Sequence, residues 1–277
     1  MSAEAIRTNA WAWYLAAVVF VTQYYAVSAF GASPSDTLYV AIGVSAVIAG
    51  IVGLLLQRGA ALLARIAVVA CVGAYLAADA VLAGLEADNV IVPFPSTADW
   101  LYLGIYPVLA AAMLAVRHHS SPQRDMRAVA AAVTAAVASF ALFWQLYASD
   151  VWNSPFLVGT DRWVALGYPL GDALLVGVAA RLLAGSGRRL GTHLLLAGSI
   201  ASLVVGNVVY NVQVAGAGFE SGGIASVAWL AFTSLLGGAV LRPSVPPAAT
   251  GIEPESPDAP AAMAHDVGVP VDELVPA

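Results

Sequence analysis

Lysine is absent from this chain, cysteine occurs once, and charge of either sign is scarce: eleven arginines and seventeen acids make up 10% of 277 residues. Soluble domains carry about 25% charged residues, so a large water-exposed fold is excluded. The lone Cys71 lies inside an apolar run. It excludes a disulfide framework or a cysteine metal site and reads as a small buried hydrophobe. No phosphate-binding glycine loop, nucleophile elbow or zinc-binding helix motif occurs, so the chain is expected to be non-catalytic by itself, with no cofactor. His118 and His119 have no companion ligands at metal-binding spacing. No nucleic-acid partner is expected either.

What the sequence does hold is hydrophobic residues, 60% of the chain, gathered into runs of membrane-spanning length. Eight candidate spans are read at Trp11–Phe30, Thr37–Leu56, Ile66–Leu85, Trp100–Val116, Ala128–Tyr147, Trp163–Leu183, Leu190–Val212 and Gly223–Leu241. The first is too long for a signal-peptide core and carries Gln23, so it is read as a retained helix. The expected fold is an all-α polytopic bundle of eight transmembrane helices built from four helical hairpins.

Arginine placement gives the expected orientation, because short cytoplasmic loops collect positive charge. Arg7, Arg58, Arg65, Arg117, Arg124, Arg127, Arg181, Arg188, Arg189 and Arg242 fall on one side of the eight-span arrangement, and Arg162 alone on the other. Both termini are therefore expected in the cytoplasm, where the arginines can also meet anionic headgroups. The other side carries Asp36, Glu86, Asp88, Asp99, Asp150, Asp161 and Glu220, with Trp100, Trp152 and Trp163 at interface depth. Six acids follow Arg242, which leaves eleven against eleven before it, so the net charge of −6 belongs to the tail. Residues 1–242 are read as the transmembrane domain. Residues 243–277, rich in proline, alanine and acids, are read as a disordered tail that cannot bury enough surface to offset its ordering entropy.

An internal repeat follows the same division. SPSDTLYVAIG, STADWLYLGIYP and GTDRWVALGYP each open an even-numbered span, with Asp36, Asp99 and Asp161 spaced 63 and 62 residues apart. That period is one hairpin, and a fourth copy from about Gly222 lacks the aspartate. Two copies share a proline, Pro107 and Pro169, which frees the carbonyls of Leu103 and Ala165. The proline is a structural kink in one reading and exposes carbonyls to a cavity in the other.

The sixth span, WVALGYPLGDALLVGVAAR, places Asp172 near mid-membrane, where a charge costs about 2.5–3.5 kcal/mol even on insertion scales. Such a residue needs a partner, a proton or a purpose. Asp161, Tyr168 and Asp172 stand at i, i+7 and i+11 on one helix face. At ~1.5 Å per residue, Asp79, Tyr106, Tyr168 and Asn207 fall at a common depth, roughly 8 to 10 Å from the outer ends of their helices. Two readings stand side by side. One is a polar pocket opening away from the cytoplasm, floored by Asp172 and walled by Asp79, Tyr106, Tyr168 and Asn207, for a small ligand or a proton. The other is interhelical glue, worth about 0.6 kcal/mol per hydrogen bond. Gly198, Ser202 and Gly206 form a small-residue stripe on the seventh span, read as packing within the monomer, with a homodimer seam as the alternative.

The pieces ADWLYLGIYPVLAAAMLAVR, GYPLGDALL and AVLRPS resemble the N-terminal multi-helix membrane region of actinobacterial cyclic-di-GMP signalling proteins that carry GGDEF and EAL domains. The resemblance covers about residues 10 to 244, and Arg242 stands where that family commonly has histidine. It implies a sensory or anchoring role in the bacterial plasma membrane, with a cytoplasmic signalling partner for output. Nothing resembling GGDEF or EAL follows Arg242, so neither cyclase nor phosphodiesterase activity comes with it. The alternative expectation is a proton-coupled secondary transporter of a small solute, with Asp172 carrying the proton.

Overall fold

The computed structural model describes residues 3–29, 35–57, 61–88, 92–120, 125–184, 190–215 and 223–243. Arg58, Arg124, Arg188, Arg189, Glu220 and nearly all of the expected tail lie outside them. The described residues form α1 (Ala3–Ala29), α2 (Asp36–Leu56), α3 (Leu62–Asp88), α4 (Thr97–Ser120), α5 (Met126–Phe143), α6 (Ser149–Asn153), α7 (Thr160–Ala184), α8 (Leu190–Ala215) and α9 (Ile224–Leu241), with no strand among them. A π-turn, Trp144–Ala148, joins α5 to α6 without a break, so Met126–Asn153 is one span of 28 residues. Eight helices are thus long and apolar enough to cross a membrane. The chain is an all-α, multi-pass integral membrane protein.

The repeated aspartates have a local cause. In α4 the Ser96 amide and hydroxyl both donate to Asp99 Oδ2 at 2.7 Å, and the Ser96 hydroxyl oxygen faces the Asp99 amide at 3.4 Å. This is a capping box with aspartate in the glutamate position. In α2 the cap is Ser35, which accepts from the Leu38 amide, and Asp36 occupies the first turn. Asp161 likewise opens α7. The repeat therefore marks three helix N-termini, where acids complement the positive end of the backbone dipole.

At the opposite end arginines satisfy helix C-termini. The Arg65 guanidinium, at the start of α3, donates to Gln57 O at 2.8 Å, to Gly53 O at 3.1 Å and to Val240 O. Gln57 adds a bond to Leu241 O at 2.6 Å. Arg117 Nε donates to Arg181 O at 3.0 Å. Carbonyls left over in last turns need such donors when water cannot reach them. Arg242 lies over the Trp11 ring, 4.4 Å from its centroid.

α9 is the most buried span, with Leu230, Phe232, Leu236 and Val240 in the core. It packs on α8 and α2, while α3 pairs with α4 and α5 with α7. Three of the expected hairpins are thus intimate. In the first, α2 packs more closely on α9 than on α1. The reason is glycine: a Cβ at Gly53 would stand 2.5 Å from Val240 O, and one at Gly237 2.6 Å from Ala46 O. Outward faces carry bare apolar side chains such as Phe20, Leu55, Leu63 and Val137, as a lipid-facing surface requires.

Candidate functional site

α4 passes three functional side chains to its neighbours from successive turns. Asp99, Tyr102 and Tyr106 stand at i, i+3 and i+7, on one face. Tyr106 reaches α7, Tyr102 reaches α3, and Asp99 receives a tyrosine from α7.

The deepest group is Asp172, whose residue is 0% exposed. Tyr106 Oη donates to Asp172 Oδ1 at 3.0 Å. Asn207 Nδ2, from α8, donates to Oδ1 at 2.9 Å and Oδ2 at 3.1 Å, and to Tyr106 Oη at 3.0 Å. Trp229 Nε1, from α9, donates to Asn207 Oδ1 at 3.0 Å. The proton arithmetic closes: the phenol gives its hydrogen to the carboxylate and accepts one from the amide, whose oxygen is taken by the indole. Four spans are tied at one point, and every donor to Asp172 is neutral.

Two glycines make this geometry possible. A Cβ at Gly171 would stand 2.4 Å from Tyr106 Cδ1, so the ring lies directly on the α7 backbone. One at Gly206 would stand 2.5 Å from Trp229 Cδ1, so the expected small-residue stripe on α8 accommodates an indole. At Gly198 the nearest atom, on Leu235, is at an ordinary 3.6 Å. The stripe thus meets α9 side chains of the same chain.

Tyr168 lies beside this group, its ring 6.5 Å from that of Tyr106, but its hydroxyl donates to Asp99 Oδ1 at 2.7 Å. Asp79 stands apart. Its Oδ1 accepts from Tyr102, and its buried Oδ2 has no hydrogen-bond partner. Of the five residues expected to share a pocket, the structure joins Asp172, Tyr106 and Asn207 directly, adds Tyr168 at one remove, and gives Asp79 a separate partner. The depth estimate was a coordinate along the membrane normal; direction around each helix axis separates the two carboxylates.

Trp229, Tyr102 and Tyr147 complete the set and were not singled out in the sequence. An indole N–H in a buried span needs an acceptor, and that was the available signal for Trp229. Tyr147 belongs to the π-turn; it is 6% exposed, its hydroxyl has no hydrogen-bond partner, and it lies within electrostatic reach of Asp172. π-turns frequently mark functional sites. The two prolines differ: Pro169 is buried three residues before Asp172, whereas the Pro107 ring is exposed. Cys71 is buried, and no metal-binding group of three or more His, Cys, Asp or Glu occurs among the described residues. Comparison with protein-family models, with curated proteins and with solved structures finds no match to this chain.

Proposed function

We propose that this chain is a sensory or anchoring module of a bacterial plasma membrane, non-catalytic by itself, whose responsive element is the Asp172 network. The carrying observation is a fully buried carboxyl held by neutral donors alone. In a low-dielectric interior a change of charge on that group alters what the three other spans gain by packing around it. A proton, or a small ligand that replaces one of the donors, then favours one packing of α7 over another. Arg117, bonded to Arg181 O, carries the change to the arginine-rich end, where a cytoplasmic partner reads it. The resemblance to membrane regions of cyclic-di-GMP signalling proteins supports the same role.

Hydrogen exchange on the protein in nanodiscs tests this reading. Between acid and neutral pH the amides of residues 176–184 are expected to change protection in the wild type, and Asp172→Asn is expected to hold them in one state at both. Equal, pH-independent protection in both proteins identifies the network as glue. Proton-coupled transport is the second reading. Pro169 in α7 and the π-turn bearing Tyr147 are two backbone irregularities beside the same carboxyl, as discontinuous transporter helices have. Solute uptake into proteoliposomes driven by a proton gradient, lost in Asp172→Asn, would favour it.

A further inference from the structure

The two membrane carboxyls are not equally served. Asp172 receives three donor contacts, two on Oδ1 and one on Oδ2. Asp79 accepts one closed hydrogen bond, from Tyr102, and its buried Oδ2 closes none. An unmet carboxylate oxygen inside a membrane bundle costs more than its partner's single bond returns. What surrounds it is aromatic and hydroxylic. Tyr39, from the first turn of α2, interacts with the Asp79 carboxyl without closing a hydrogen bond to Oδ2, and Tyr75, one turn before Asp79 on α3, interacts with both. The Tyr75 ring stands edge-on to Tyr102 and to Phe232, each with centroids 5.3 Å apart, and Tyr25 backs Tyr39 at 6.1 Å.

We propose that Asp79 and the tyrosines around it bind a small primary ammonium ion, at a site separate from the Asp172 network and beyond the role assigned to it above. The chemistry of the donors and acceptors selects this class. A primary ammonium carries three N–H donors and no acceptor. Asp79 Oδ2 takes one, and the phenol oxygens of Tyr39 and Tyr75, each able to accept, take the others. The surrounding rings add cation–π attraction, which grows when the cation is desolvated. A quaternary ammonium would leave Oδ2 without a donor. A bare metal ion asks for more oxygen ligands than one carboxylate oxygen and two phenols supply. The nearer end is the aspartate-bearing one: Asp79 is nine residues from the end of α3 at Asp88, about 13 Å at helical rise, and Tyr39 beside it is only partly buried.

Thermal unfolding of the full chain in nanodiscs tests the proposal, with methylammonium chloride as probe against sodium chloride and tetramethylammonium chloride at equal ionic strength. Methylammonium is expected to raise Tm saturably by a few degrees and the other two salts are not. Asp79→Asn is expected to abolish the rise. Tyr39→Phe keeps the ring against Tyr25 and removes one acceptor, so it is expected to weaken binding several-fold in isothermal titration; this variant decides the matter if Asp79→Asn does not fold. No saturable rise in the wild type, an equal rise with either control salt, or unchanged titration in Tyr39→Phe overturns the proposal.

Discussion

At the scale of single residues, Asn207 is the side chain on which the buried network turns. Its amide serves both oxygens of Asp172 and the Tyr106 hydroxyl, and its carbonyl receives the Trp229 indole. Asn207→Leu leaves Asp172 with one donor in a dry interior, so it is expected to cost about 1–3 kcal/mol, above the ~0.6 kcal/mol typical of one hydrogen bond in a membrane protein. Replacing both members, Asp172→Leu with Asn207→Leu, removes the orphaned carboxyl but also both partners of the buried Tyr106 hydroxyl, so it is expected to recover only part of that loss. Unfolding of the double variant, of each single variant (Asp172→Leu and Asn207→Leu) and of the wild type in mixed micelles, analysed as a double-mutant cycle, reads the difference. Asp172, Tyr106 and Asn207 were legible in the sequence because a polar side chain in an apolar run is conspicuous and its depth follows from counting residues. The separate fate of Asp79 was not legible. Depth fixes one coordinate, and the identity of the neighbouring helix, which gives Asp79 to Tyr102, is settled only by the packing of the whole bundle.

Between elements, the closest backbone approach is that of α2 and α9. Gly53 lies against the Val240 carbonyl and Gly237 against that of Ala46. A methyl group at either position meets backbone, which cannot rotate aside, so Gly53→Ala and Gly237→Ala are each expected to lose about 1–3 kcal/mol by overpacking. Gly198→Ala meets only the end of Leu235 at contact distance and is expected to be neutral or mildly stabilising, since alanine also favours the helix. Unfolding midpoints of the three variants check the contrast. The sequence placed eight helices correctly because length and apolarity are properties of each span by itself. It could not say that α2 prefers α9 to α1, because lipid tails are as apolar as leucine and hydropathy does not choose partners. The fifth span also ran past its expected end at Tyr147 to Asn153, because the π-turn carries the helix onward through residues that hydropathy alone did not join to it.

For the whole molecule, the decisive feature is an asymmetry between its two ends. One end presents helix N-termini with Asp36, Asp99 and Asp161 in their first turns. The other presents C-termini whose carbonyls are taken by Arg65 and Arg117. Arg65 and Arg117, which the charge bias expects on the cytoplasmic side, also close the bundle at their end, so the expected insertion topology and the folded packing favour one arrangement. Asp79 lies toward the aspartate-bearing end of α3, whereas Asp172 is the thirteenth of the 25 residues of α7, at its middle. Cysteine labelling on intact cells tests the orientation, and native Cys71 is buried and stays silent. Phe156→Cys, at an 88% exposed position between α6 and α7, is expected to react with a membrane-impermeant maleimide. His119→Cys, exposed at the end of α4, is expected to react only after the cells are permeabilised. The reverse pattern would turn the aspartate-bearing end, and Asp79 with it, toward the cytoplasm. A module that samples the outside would then be the wrong reading, and the bundle would have to respond to something made within the cell.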